Sequence, residues 1–114
     1  MKAIYQKITL IIVLATLPLT IGAQCNPDFC GLVYIDKLYT HPNGIVYVGT
    51  SGDESVLNCA AVAGVHLTFD INDPGSSAIY STLLTALTVN KQVVIQVADN
   101  SVGCLVQYVT IDRV

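Results

Sequence analysis

Between Asp73 and Ala98 the hydrophobic period changes once, from about 3.6 to 2, and that switch constrains the chain more than any other stretch. Asp73 is suited to cap a helix, and Pro74 suits the first helical position, where a missing N–H costs nothing. At about 100° per residue, Ile79, Tyr80, Leu83, Leu84 and Leu87 fall within an arc of roughly 140°. Ala78, Ser81, Thr82, Thr85 and Thr88 take the other side. Asn90-Lys91 ends the helix, with a cation near the negative end of its dipole. In Gln92–Val97 the pattern alternates: Val93, Ile95 and Val97 share one face, while Gln92 and Gln96 mark the other. The stretch therefore predicts one α-helix over about 74–90, feeding directly into a half-buried strand.

Residues 1–23 read as a cleaved export signal. Lys2 and Lys7 make a basic start, Ile8 to Ile21 an apolar run, and Gly22-Ala23 a small-residue cleavage point. The run is short for a membrane span of about 20 residues and is interrupted by Thr9, Thr16, Pro18 and Thr20. Gln24 precedes Cys25 where lipid attachment wants a small residue, so no lipid anchor is expected. Part of the 53% hydrophobic content belongs to this leader. Without it, Lys37, Lys91 and Arg113 stand against eight carboxylates, 3 minus 8, a net charge of −5. So acidic a chain is a poor partner for nucleic-acid phosphates or an anionic membrane surface.

The roughly 90 residues that remain, 24–114, suffice for one domain with a modest core. In an oxidising compartment four cysteines read as two disulfides. Of the three possible pairings, the favoured one is Cys25–Cys30 with Cys59–Cys104, the second tying a mid-chain strand to the last. A metal site is not expected, because the cysteines do not form paired CxxC motifs and His41 and His66 lie in different segments.

Punctuation beyond the leader is regular. Gly31 to Thr40 is strand-like, His41-Pro42-Asn43-Gly44 is a turn, and Ile45 to Gly49 returns as the second arm of a hairpin. A loop at Thr50–Glu54 leads to a third strand over Ser55–Val62, then a fourth over Val65–Ile71. The helix, the Gln92–Val97 strand, an Asp99-Asn100-Ser101 turn and a strand over Cys104–Asp112 follow. Short strands this dense must curl to bury one face. The expected fold is mainly β (α+β): a small OB-like barrel of five to six strands, with one helix between the fourth strand and the last two. A two-layer α/β sandwich is the alternative.

Candidate chemistry is sparse. Asp70-Ile71-Asn72-Asp73-Pro74-Gly75 resembles a calcium loop, but Pro74 occupies a ligand position and Ser81 stands where the loop's closing Glu belongs. Gly49-Thr50-Ser51-Gly52-Asp53 is not a G-x-S-x-G elbow, and no histidine is placed to activate its serine. No catalytic residue, cofactor or metal is therefore assigned. Tyr34, Tyr39, Tyr47 and Tyr108 fall in predicted strands, and a tyrosine offers a flat apolar face and a hydroxyl to a sugar or a protein. Tyr34 and Tyr47, with Ser51 and Asp53 on the loop, are the candidate ligand-binding residues. The uncharged helix face of Ala78, Ser81, Thr82 and Thr85 is the candidate interface with a partner or a second copy.

Three stretches carry a family resemblance. They are Val33–Leu38 with the Asn43–Val48 hairpin arm, Val56–Val62 around Cys59, and Ile79–Ala86 continued through Asn90–Val97. Together they resemble the receptor-binding B subunits of bacterial AB-type toxins, the subtilase-cytotoxin and pertussis-like branch. The resemblance implies a secreted or periplasmic, disulfide-bonded OB-fold domain assembled as a homo-oligomer, a pentameric ring with helices lining its channel. It further implies recognition of a cell-surface glycan or glycoprotein, and an enzymatic A subunit as partner. No pocket residue carries over, since the Cys25–Cys30 loop replaces the segment that helps to form the sugar pocket in that branch. An exported protein–protein interaction module, an inhibitor or assembly partner, is the second expectation, and a small hydrolase the third.

Overall fold

A computed structural model describes residues 24–113, so the export signal expected over 1–23 lies outside the described residues. Seven strands and one helix follow in the order β1 (Gln24–Cys25), β2 (Phe29–Val33), β3 (Ile35–Thr40), β4 (Ile45–Thr50), β5 (Leu67–Asp70), α1 (Ser76–Val89), β6 (Val93–Val97) and β7 (Val106–Ile111). The strands form two antiparallel sheets, one of order β1-β2-β6-β7 and one of order β3-β4-β5. The mainly β class with one helix before the last two strands agrees with the sequence, but the strands do not close into one continuous barrel.

The expected single strand over Gly31–Thr40 divides at Tyr34, so its two halves serve different sheets. Leu32 has a left-handed backbone, φ 55°, and the β2–β6 register shifts between Cys30 and Val33. Such a bulge bends a strand and raises its twist, and here it turns the chain from one sheet into the other. Val33 and Ile35 are buried on either side of the exposed Tyr34, so the corner keeps the alternation of an extended chain.

At a second place the sheets meet through a single parallel bridge, Thr68 to Leu105. The Thr68 N–H donates to the Cys104 carbonyl at 3.2 Å, and its Oγ1–H to the Gly103 carbonyl at 2.8 Å. The Cys59–Cys104 disulfide lies beside this seam, and Cys25–Cys30 joins the opposed residues of β1 and β2, so both favoured pairings form.

The core lies between the sheets and α1. Val46 and Val48 of β4, Leu67 and Phe69 of β5, Val93, Ile95 and Val97 of β6, and Leu83 and Ala86 of α1 are all buried. The alternation in β6 points as the sequence indicated.

Three further sequence expectations need correction. First, Ser55–Val62 is not a strand. Asp53 accepts a hydrogen bond from the Ser55 N–H and starts a 3-10 turn at Glu54–Val56, after which Ala60 and Val62 make only isolated bridges. The capping aspartate takes up the Ser55 N–H and turns the backbone away from a strand at the start of this segment. Second, Asp73 does not cap α1. Asp73 and Pro74 sit in a preceding turn, and Gly75, at φ 82°, is the N-cap, without a side-chain bond. Third, the inward arc of α1 runs through Ser76, Leu83 and Ala86 with Ile79 and Tyr80 at its margin, while Leu84 and Leu87 are exposed. The C-terminus behaves as read: Asn90 takes the left-handed conformation at φ 57°, and the Asn90 and Lys91 N–H groups return to the Leu87 and Ala86 carbonyls.

Candidate functional site

The corner at Tyr34 forms one wall of a cavity of ≈ 320 Å³, within the range of about 300–1,000 Å³ usual for small-molecule sites. Leu32 and Tyr34 supply its apolar side, and Asn90, Gln92, Thr110 and Asp112 its polar side. Each residue arrives for a local reason. The bulge puts Leu32 and Tyr34, two residues apart, at the mouth. The left-handed turn that stops α1 delivers Asn90, and the last residues of β7 and its extension deliver Thr110 and Asp112 beside β6.

Two of the polar side chains at this cavity support its frame. Gln92 Nε2–H donates to the Leu32 carbonyl at 3.0 Å, holding the bulge against the start of β6. Lys91 Nζ–H donates to the Arg113 carbonyl at 2.9 Å, holding the end of β7. Among the described residues the Asn90 amide, the Thr110 hydroxyl and the Asp112 carboxylate make no side-chain hydrogen bond. A partly exposed tyrosine lining the same cavity as an amide, a hydroxyl and a carboxylate suits a ligand with an apolar face and several hydroxyls.

The four ligand-binding residues expected from sequence are not one cluster. Tyr34 lines the cavity. Ser51 lies behind it, its Oγ accepting the Tyr34 N–H at 2.9 Å while its own N–H donates to the Tyr34 carbonyl at 3.0 Å. Asp53 caps the 3-10 turn, and hydrogen bonds from the Ser55 hydroxyl and then the Ser55 N–H hold its carboxyl below the ordinary aspartate value. Tyr47 lies on the outer face of the β3-β4-β5 sheet, stacked on Tyr39 with ring centres 4.8 Å apart and planes 9° from parallel.

That stack gathers both histidines. His41 lies 5.1 Å from the Tyr47 ring, and His66 meets Tyr39 edge-on at 5.7 Å. Register explains the gathering, since Tyr39 opposes Tyr47 and Tyr47 opposes Thr68, with the histidines on flanking rows. The sequence reading left His41 and His66 without partners because the pairing of β4 with β5 spans a long, irregular loop. Among the described residues no group of three or more His, Cys, Asp or Glu side chains is placed to hold a metal ion.

Of the expected interface, Ala78, Ser81 and Thr85 are exposed, and Thr82 is half-buried with its hydroxyl donated to the Ala78 carbonyl at 3.0 Å. Leu84, Leu87 and Val89 extend this uncharged surface. Leu32, Asn90, Gln92, Thr110 and Asp112 were not among the expected site residues. Asn90 and Gln92 read as a helix stop and a strand exterior, and nothing local in sequence signals that Leu32 would adopt positive φ.

Comparison with protein-family models, curated proteins and solved structures finds no match, so the geometry of these residues carries the functional argument alone.

Proposed function

We propose that this chain is an exported binding domain that holds a glycan, or the glycan of a glycoprotein, at the Tyr34 cavity without transforming it. The observation carrying this reading is that Tyr34 lines one cavity together with Asn90, Thr110 and Asp112. Sugar C–H faces pack on an aromatic ring, and sugar hydroxyls donate to carboxylate and amide oxygens. Two disulfides support an oxidising location, secreted or periplasmic. An OB-like curl is the finer architecture consistent with the shared β2–β3 corner, the β2–β6 pairing and the parallel Thr68–Leu105 bridge. On this reading the chain is a toxin B-subunit-like carrier that forms a homo-oligomer and takes an enzymatic A subunit.

A glycan array probed with residues 24–114 tests the proposal. Selective signal that Tyr34→Ala and Asp112→Asn abolish supports it, and silence across the array from a folded protein refutes it.

A second reading, a protein–protein interaction module, draws on α1. From Ser76 to Val89 the helix carries no charged residue, and it exposes Leu84, Leu87 and Val89. Solvent-facing helices ordinarily collect charge there. Light scattering of the same protein distinguishes a self-associating chain from a monomer that awaits another partner.

A further inference from the structure

Glu54 is the one buried carboxylate among the described residues, only 5% exposed. A buried carboxylate is strongly disfavoured unless hydrogen bonds replace its water. Here Oε2 accepts both the Thr50 N–H, at 2.7 Å, and the Thr50 Oγ1–H, at 2.8 Å. Thr50 Oγ1 accepts in turn from the Gly52 N–H at 3.1 Å, so the carboxylate organises the whole turn from Thr50 to Glu54. That turn, which follows β4, packs tightly against β1 and β2 of the other sheet. A Cβ on Gly52 would lie 2.8 Å from Cys25 Sγ and 3.1 Å from Val33 Cγ1.

Ser51 sits inside this turn and takes up both backbone polar groups of Tyr34. Tyr34 lies between β2 and β3, outside both strands, so Ser51 is its main-chain anchor. We infer that Glu54 is a positioning residue for ligand binding: its carboxylate fixes Thr50 and Ser51, and through them sets Tyr34 at the cavity. The inference rests on the reading of that cavity as the binding site. A buried acid that does not itself line the cavity thus keeps Tyr34 in place.

Amide hydrogen exchange on the free protein, residues 24–114, provides the test. Glu54→Ala should speed exchange at Tyr34 and Ser51 by about ten- to a hundredfold, the equivalent of losing hydrogen bonds to a charged acceptor. Val46 and Ile95 in the core should keep their protection. Glu54→Gln retains a carbonyl oxygen for Thr50 and should restore most of the protection, whereas Glu54→Met, which fills similar space without an acceptor, should not; a role in mere bulk packing would require that both restore it. If Glu54→Ala does not fold, Thr50→Val keeps the backbone bond, removes Oγ1 and should give a smaller acceleration at the same two amides. Unchanged exchange at Tyr34, or acceleration shared equally by Val46 and Ile95, overturns the inference. On the glycan array, Glu54→Ala should lose signal as Tyr34→Ala does, and Glu54→Gln should keep it. If Tyr34→Ala keeps its signal, the cavity reading fails and so does the ligand role given to Glu54. If Tyr34→Ala loses signal while Tyr34 exchange is unmoved by Glu54→Ala, only the positioning role fails.

Discussion

Thr68 and Gly103 face each other across the seam between the two sheets, the Thr68 hydroxyl donating to the Gly103 carbonyl at 2.8 Å. Gly103 takes φ 87°, and a Cβ there would lie 2.8 Å from Thr68 Oγ1. The pair is therefore matched in chemistry and in space: one residue supplies the donor, and the other lacks the atom that would exclude it.

Thr68→Val should cost about 1 kcal/mol, the usual loss for one buried hydrogen bond. Gly103→Ala should cost more, about 2–3 kcal/mol, because left-handed backbone strain adds to the collision. Combining Gly103→Ala with Thr68→Ala removes the atom collided with, so the two losses should fall short of additivity. Urea midpoints of the wild type, Thr68→Val, Thr68→Ala, Gly103→Ala and the double variant check the ordering and the shortfall.

The two disulfides should differ in worth. Cys59–Cys104 spans 45 residues and Cys25–Cys30 spans 5. On chain-entropy grounds the first contributes about 4 kcal/mol and the second about 2 kcal/mol. Replacing Cys59 and Cys104 by alanine should lower the melting temperature roughly twice as far as replacing Cys25 and Cys30.

Tyr39 and Tyr47 stack across neighbouring strands at 4.8 Å. A double-mutant cycle to alanine should return a favourable coupling of about 0.5–1.5 kcal/mol beyond the single losses. Coupling near zero in equilibrium unfolding would mean that the rings do not act as a pair.

Asp53 titrates below its ordinary value of 3.8, chiefly through the hydrogen bond from the Ser55 hydroxyl. A depressed folded-state value means that the contribution to stability is fully present above 3.8 and is lost as pH falls through the lower folded value. Ser55→Ala should move the Asp53 carboxyl titration, followed by NMR, back up toward 3.8. Because Asp53 is exposed, the accompanying change in acid stability should be slight.

Legibility in the sequence followed how local the deciding interaction was. The Asn90 helix stop, the alternation of β6 and the Gly44 turn, with φ 93°, are each settled by neighbouring residues, and each was readable. The cysteine pairing was readable because few combinations exist. The division at Tyr34 was not, since it comes from a bulge at Leu32 held by Gln92, 60 residues away. Nor was the Ser55–Val62 segment, where the Asp53 cap turns the backbone into a 3-10 turn at Glu54–Val56. The cavity is assembled from the corner, the end of α1 and the end of β7, so only Tyr34 could be named in advance. The helix failed in a narrower way. Periodicity located its apolar residues, but the buried side runs through Leu83 and Ala86, leaving Leu84 and Leu87 exposed.

The absence of charged residues from Ser76 to Val89 has a consequence for what can meet α1. A contact made there gains nothing from Coulomb attraction, so Debye screening leaves it untouched. Sodium chloride should neither loosen nor tighten such a contact, whereas sulfate, which favours burial of apolar surface, should strengthen it.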